Sequence, residues 1–287
     1  MTGVLIVDKP GGITSFDVVA RVRRALGERR VGHTGTLDPM ATGVLPVCVG
    51  EATKLVPFLV SGEKEYEAEA RLGVTTDTLD ATGRVTSETM ATHVSRADVE
   101  RVLQGFVGTI AQTPPMHSAL RVGGRRLYEL ARQGLEVERE ARPVVVHAVE
   151  LQRCEPPLVV FRVRCGKGTY VRSLVGDLGE RLGVGAHLTA LRRTRVGAFS
   201  LADAVALDTV GAATALMSPA AALADHATVP LDAAQMRDVR AGKLRTIAAL
   251  RVPDGAGAHV RLLAPDGTLV AVAEARDGSL TLARVFC

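Results

Sequence analysis

Apolar and polar residues alternate along this chain in short runs, broken by a few stretches of helical period. VLIVD (4–8) is a β-rich run closed by the Pro-Gly-Gly turn at 10–12. Thr14 and Asp17 then stand as a capping box, and Val18, Val19, Val22 and Leu26 recur at helical spacing. They predict a helix that stops at Gly27, with Arg21, Arg23 and Arg24 mostly outward. VLPVCV (44–49) reads as a buried strand. KEYEAEARLG (64–73) alternates strictly, which puts Tyr66, Ala68, Ala70 and Leu72 on one face of a half-buried strand. Ser95 to Asp98 repeats the capping pattern before a helix through Phe106, and LYELARQG (127–134) predicts another. VVVHAVEL (144–151) and VVFRVRC (159–165) predict strands. GKGTY (166–170) then turns the chain into a helix, VRSLVGDLGERLG.

Strands and helices mix without a regular βαβ rhythm, so the predicted class is α+β around a mostly antiparallel mixed sheet flanked by helices. The Ala-rich stretch 201–228 reads as a helical connector, which makes 1–228 one unit. From Val229 the texture changes to short runs separated by PDG, APDG and RDG, so 229–287 reads as a small β-rich module.

Charge sharpens this picture. The net charge is only +4, but 30 of the 35 basic residues are Arg and they cluster. RVRRALGERR (21–30) carries five, LRRTR (191–195) three and RVGGRR (121–126) three. Arg suits bidentate contact with phosphate and stacking on bases, so a nucleic acid partner is expected. The alternative for each cluster is a solvated face. The four cysteines (Cys48, Cys154, Cys165, Cys287) are far apart, which predicts reduced thiols and no zinc site. Asp8 arrives too early for a signal peptide. The uncharged run 209–224 is interrupted by Pro219 and is too short to span a bilayer. A cytoplasmic protein is expected.

GHTGTLDP (32–39) raises the chemical question. Its aspartate, Asp38, has no acidic neighbour nearer than Glu28 and Glu51. Pro39 pushes Asp38 towards an extended backbone, and Gly32, Gly35 and Gly43 allow unusual paths. Such a residue either bonds its own turn, the commoner use, or presents its carboxylate to another chain. No Walker, GxGxxG, HExxH or GxSxG pattern accompanies it. Catalysis would therefore be free of cofactor and metal and rest on a carboxylate. Arg172, just after the GKGTY turn, is a candidate partner that would hold Asp38 ionised and depress its pKa.

DKPGGITSFD (8–17) and RRVGHTGTLDPMATGVLPVCVGEATK (29–54) closely resemble the TruB family of pseudouridine synthases. The likeness continues through KEYEAEARLGVTTDTLDATG (64–83), PPMHSALRVGGRRLYELARQG (114–134), GTYVRSLVGDLG (168–179) and HLTALRRTRVGAF (187–199). The resemblance implies a bacterial-type enzyme that converts uridine 55 in the tRNA T loop to pseudouridine. It assigns Asp38 as the catalytic residue, Tyr66 as the stack for the target base and Arg172 as the partner of Asp38. It gives His33 the gap left by the flipped nucleotide, and Lys9 and Leu191 places lining the site. It also implies a C-terminal PUA-like RNA-binding module, tRNA as the partner, and a monomer needing neither protein partner nor membrane. His117 and Arg121 stand where the family usually shows Tyr and Lys, so they receive no role. Two other readings remain, an RNA-guided synthase of the dyskerin kind and a non-catalytic tRNA-binding or folding protein.

Overall fold

The structure, a computed structural model, describes residues 1–286 except Ser61, Ala119 and Arg132. Ten strands form the main sheet: β1 (Gly3–Lys9), β2 (Val31–His33), β3 (Thr42–Val49), β4 (Lys64–Leu72), β5 (Gly108–Gln112), β6 (Arg142–Glu155), β7 (Leu158–Cys165), β8 (Ala186–Val196), β9 (Phe199–Ser200) and β10 (Val205–Ala206). The path across it is β10-β1-β3-β8-β4-β7-β6-β5, with β2 on β3 and β9 on β8. β1 with β10 and β3 with β8 pair parallel, and the other named pairs are antiparallel. The α+β class with a mostly antiparallel sheet is therefore what the chain adopts.

Two apolar clusters lie behind the elements that carry polar chemistry. The Ser15–Leu26 helix starts on the predicted Thr14–Asp17 capping box and ends at Gly27 in the left-handed region (φ 63°). It buries Val18, Val19 and Val22 with Leu5, Val7, Leu45 and Val47. Each such burial contributes about 1.5–3 kcal/mol before entropy is counted. Helices Arg96–Gln104 and Val171–Arg181 bury Val99, Val102, Leu103, Leu174, Val175 and Leu178 in the cluster that holds Tyr66, Ala68, Ala70 and Leu72. The strict alternation of β4 thus predicts its buried face correctly.

Three elements differ from the sequence reading. β8 carries no alternation that marks it as a strand, yet it lies between β3 and β4 at the middle of the sheet. Register shifts at Leu188/Ala190 and Arg193/Arg195 interrupt its period of two. The 201–228 connector holds little helix: two single-turn 3₁₀ segments, the short β10 strand and a four-residue helix, Pro219–Ala222. Ala propensity cannot sustain a helix there without a face to bury, and Gly211 and Pro219 interrupt it. The helix expected through Phe106 ends at Gln104, with Gly105 as its cap.

A second sheet of four strands, Ala227–Pro230, His259–Leu263, Leu269–Arg276 and Ser279–Val285, forms the C-terminal module. Helices Ala233–Arg240 and Leu244–Ala249 join it. Its own core includes Val229, Leu231, Val239, Ile247, Val260 and Leu262. Leu269, Val272 and Phe286 pack instead with Val4, Ile6, Phe58 and Val196 of the main unit. Lys54 Nζ also donates to the Val285 carbonyl at 2.9 Å.

Candidate active site

The loop after β2 is held in place from β1 and from the first helix. Lys9, fully buried at the end of β1, donates to the carbonyls of Pro10 (2.9 Å), Pro39 (3.1 Å) and Ala41 (2.6 Å). Its ammonium thereby ties the segment just after Asp38 to the end of β1. The Ser15 hydroxyl accepts from the Leu37 amide at 2.9 Å and lies 3.2 Å from the Leu37 carbonyl. The Gly12 amide donates to the Pro39 carbonyl at 2.8 Å, from the Pro-Gly-Gly turn. A short loop between β2 and β3 has few partners of its own, so these contacts set its path.

Arg172 meets Asp38 from across the sheet. Its side chain is 4% exposed, while that of Asp38 is 33% exposed. Nη2 donates to Asp38 Oδ1 at 3.2 Å; Nε lies 2.8 Å from Oδ2 but at an angle unsuited to a hydrogen bond. Nη2 also donates to the His117 carbonyl (2.7 Å) and Nη1 to the Thr78 carbonyl (3.0 Å). Behind it, Nη1 lies 3.3 Å from Oδ2 of Asp80, which is 6% exposed. The Asp80 Oδ1 accepts from the Thr78 hydroxyl (2.8 Å), the Thr82 hydroxyl (2.6 Å) and the Thr82 amide (3.0 Å). Gln112 fixes the start of the Arg172 helix, bonding both the amide and the carbonyl of Tyr170.

The carboxylate of Asp38 is therefore isolated in sequence and not in space, because a second acid shares its arginine. Its pKa also departs from expectation. Burial pushes the Asp38 carboxyl above the usual carboxylate range, Arg172 opposes this, and Asp80 adds to it. The arginine limits the rise and does not reverse it. Burial lowers Lys9 to about 8, partly countered by Asp38.

Tyr66, on β4, lies 7% exposed in the cluster that also holds Leu37, Ala41 and Leu191. Burial raises its phenol pKa, Arg193 opposes that, and Asp38 contributes to the rise. The sheet thus gathers Asp38, Arg172, Tyr66, Lys9 and Leu191 around one loop. His33 ends β2 on the other leg of that loop, where its Nδ1 accepts from the Gly35 amide at 3.3 Å. Burial lowers its pKa, with Arg193 adding to the effect, which favours the neutral ring.

One part of the expected RNA surface turns out to be internal, and a neighbour is held in an ion pair. Arg193, 1% exposed, donates to the carbonyls of Val44 (2.8 Å) and Gly35 (3.1 Å) and so anchors the Asp38 loop from β8. Arg192 pairs with Asp8 at 2.8 Å. Of the loop glycines, Gly43 needs its freedom: its φ is 103° and a Cβ there would run into the Arg193 carbonyl. Gly32 and Gly35 have negative φ. The room at Gly43 is filled by β8 itself. Arg125 of the 121–126 cluster bonds Gln133, while the side chains of Arg121 and Arg126 lie outside the described residues.

Asp80, Gln112 and Arg193 escape the sequence reading. For Asp80 a local signal exists, since Thr78, Asp80 and Thr82 form a Thr-x-Asp-x-Thr turn in which an Asp bonds two residues on. Gln112 and Arg193 carry no local mark.

Comparison with known proteins fits this geometry. A family model described as "TruB family pseudouridylate synthase (N terminal domain)" matches residues 23–171. One described as "tRNA pseudouridylate synthase B C-terminal domain" matches 172–235. The chain is 55% identical over 227 residues to tRNA pseudouridine synthase B of Symbiobacterium thermophilum, covering 78% of this chain and 76% of that protein. It is 45% identical to the Geobacter sulfurreducens protein of the same name, covering 100% of each. Among solved structures, one titled "Crystal Structure of a Cbf5-Nop10-Gar1 Complex" superposes with a TM-score of 0.75 at 28% identity, covering 99% of this chain and 85% of that one. The chain belongs to the TruB family of pseudouridine synthases.

Proposed function

We propose that this tRNA pseudouridine synthase isomerises uridine 55 of the T loop, with Asp38 as its catalytic carboxylate. The observation that carries the reading is an accessible carboxylate on an inaccessible arginine. Asp38 keeps a third of its side chain open, while Arg172 and Asp80 behind it are almost closed. Only the front member of that trio can meet a substrate.

The reaction breaks the bond between ribose C1′ and uracil N1, turns the detached uracil, and joins C1′ to C5, whose hydrogen leaves as a proton. A carboxylate at the ribose serves this by adding to C1′ or by taking a proton from C2′. The uracil is never lost to water, so the acid–nucleophile pair of a glycoside hydrolase is not required. Asp80 is accordingly an anchor: its oxygens are occupied by Thr78, Thr82 and Arg172. Arg172 opposes the upward pull of burial on the Asp38 pKa and so favours the ionised carboxylate.

The target base must leave its stack, at a cost of a few kcal/mol. Stacking on Tyr66 returns about 1–3 kcal/mol. His33, neutral and placed on the other leg of the loop, fills the vacated space, and Lys9 and Leu191 shape the walls. Exposed Arg21, Arg24, Arg29 and Arg30 contact phosphates, which makes binding sensitive to salt. The C-terminal sheet adds to the tRNA surface as an RNA-binding module, and the enzyme works as a cytoplasmic monomer without protein partners. The Cbf5 structures belong to multi-protein complexes by their titles, but the relatives at 45–55% identity are named tRNA pseudouridine synthase B.

The test is an unmodified tRNA transcript tritiated at uracil C5, with no other component added. Tritium release by the parent, lost in Asp38→Asn and lost when the T-loop uridine is replaced, is expected. Release from the substituted tRNA would refute the position, and release by Asp38→Asn would refute the residue.

A further inference from the structure

We propose that Phe16 is a stacking platform for an unpaired base of the bound tRNA, beside the Asp38 loop. Phe16 is 64% exposed, whereas Phe58, Phe106, Phe161, Phe199 and Phe286 are each 7% exposed or less. It is the aromatic among the exposed large apolar residues described. A phenylalanine in that position forgoes the burial that the other five obtain.

The helix itself does not explain it. Thr14 is the N-cap, so the hydrophobic staple falls to Ile13 and Val18, and both sit in the apolar cluster beneath the helix. Phe16 lies outside that pair and outside the buried set Ser15, Val18, Val19 and Val22. Its neighbour Ser15 holds the Leu37 backbone, one residue before Asp38, so the helix start that carries Phe16 borders the Asp38 loop, at the rim of the candidate site.

The surroundings fit RNA. The Arg23 guanidinium lies 5.8 Å from the ring centroid while donating to the Val31 carbonyl at 2.8 Å, which holds ring and cation together. Arg21, Arg24, Arg29 and Arg30 are exposed along the same helix and its exit. An exposed aromatic face beside a cation, on an element rich in exposed arginine, is a recognition pattern for a nucleic acid strand with splayed bases. A loop of tRNA, already the substrate, supplies such bases at this rim. The inference rests on tRNA crossing the site and not on which uridine is isomerised.

The chain has no Trp, so Phe16→Trp introduces a single fluorophore at the position in question. tRNA is expected to quench that fluorophore strongly, and a blunt RNA duplex without unpaired bases only weakly. Phe16→Ala should raise KM for tRNA about ten-fold, the loss typical of one base–aromatic stack, with kcat and melting temperature retained. Phe16→Trp should keep the parent KM and Phe16→Leu should not. Equal quenching by tRNA and duplex, or an unchanged KM in Phe16→Ala, would each overturn the proposal. Because binding and KM are read separately from the modified position, a failure of the uridine-55 assignment leaves these readouts intact.

Discussion

The two sheets of this molecule bury different things. Every buried polar or charged residue among those described, from Lys9 through Asp80, Gln112 and Arg172 to Arg193, precedes the C-terminal module. The module's core is Val, Leu, Ile and Ala. A core needs no ions for stability, and a buried charge is costly unless it is matched by hydrogen bonds. The main sheet accepts that cost at one place, where Lys9, Arg172 and Arg193 hold the loop that carries Asp38. Interior charge here marks the region that must position chemistry, and its absence marks the region that must only fold and present a surface.

The contrast can be broken most directly at its centre. Asp38→Asn should lower tritium release by roughly 10⁴-fold, with tRNA affinity and thermal stability close to the parent. A variant that keeps turnover would show that the buried ions serve stability alone.

Arg172→Met should cost roughly 10²–10³ in single-turnover rate and about 3–5 kcal/mol in stability, since it strands two carboxylates. The acidic limb of the rate–pH profile follows ionisation of Asp38, so it should lie above the ordinary carboxylate range. In Arg172→Met it should move to still higher pH, because the opposing charge is gone. Asp80→Asn should lower the rate less, and the double variant should fall short of the sum, since both act through one contact. An unmoved limb would separate Arg172 from the titration of Asp38.

Lys9→Met should slow the reaction roughly 10- to 100-fold by loosening the Asp38 loop. In the parent, the rate should decline as pH rises past about 8, where the Lys9 ammonium loses a proton and keeps two donors for three carbonyls. That alkaline limb should vanish in Lys9→Met.

The smallest effect on chemistry belongs to the other sheet. Val272, fully buried where the module meets the main unit, should on replacement by Ala cost about 1–3 kcal/mol in urea unfolding. The rate per folded molecule should not change. A fall in that rate would join the two regions into one catalytic unit.

The parts legible in the sequence are those written in local terms. The Thr14–Asp17 cap, the Gly27 stop and the alternation of β4 each depend on neighbours within a few residues. Arg172 is a candidate partner of Asp38 from its place just after the GKGTY turn, and the family resemblance makes that pairing specific. Asp80 is hidden because distance along the chain sets it far from Asp38, while the fold brings residues 78–82 behind Arg172. Residues 191–195 of β8 read as an arginine cluster for phosphate, because a strand that buries Arg193 against carbonyls and shifts register twice looks cationic and aperiodic.

The place of β8 has a consequence for the order in which the chain is made. β3 and β4 leave the ribosome well before Ala186–Val196, the strand that joins them. Until then the growing chain carries two half-sheets, each with an open edge able to pair with another polypeptide. Arg172 also arrives late, 134 residues after Asp38. Closing the seam and arming the site are thus nearly the same event in biosynthesis, and a product truncated before residue 186 would be inactive and prone to stick to its neighbours.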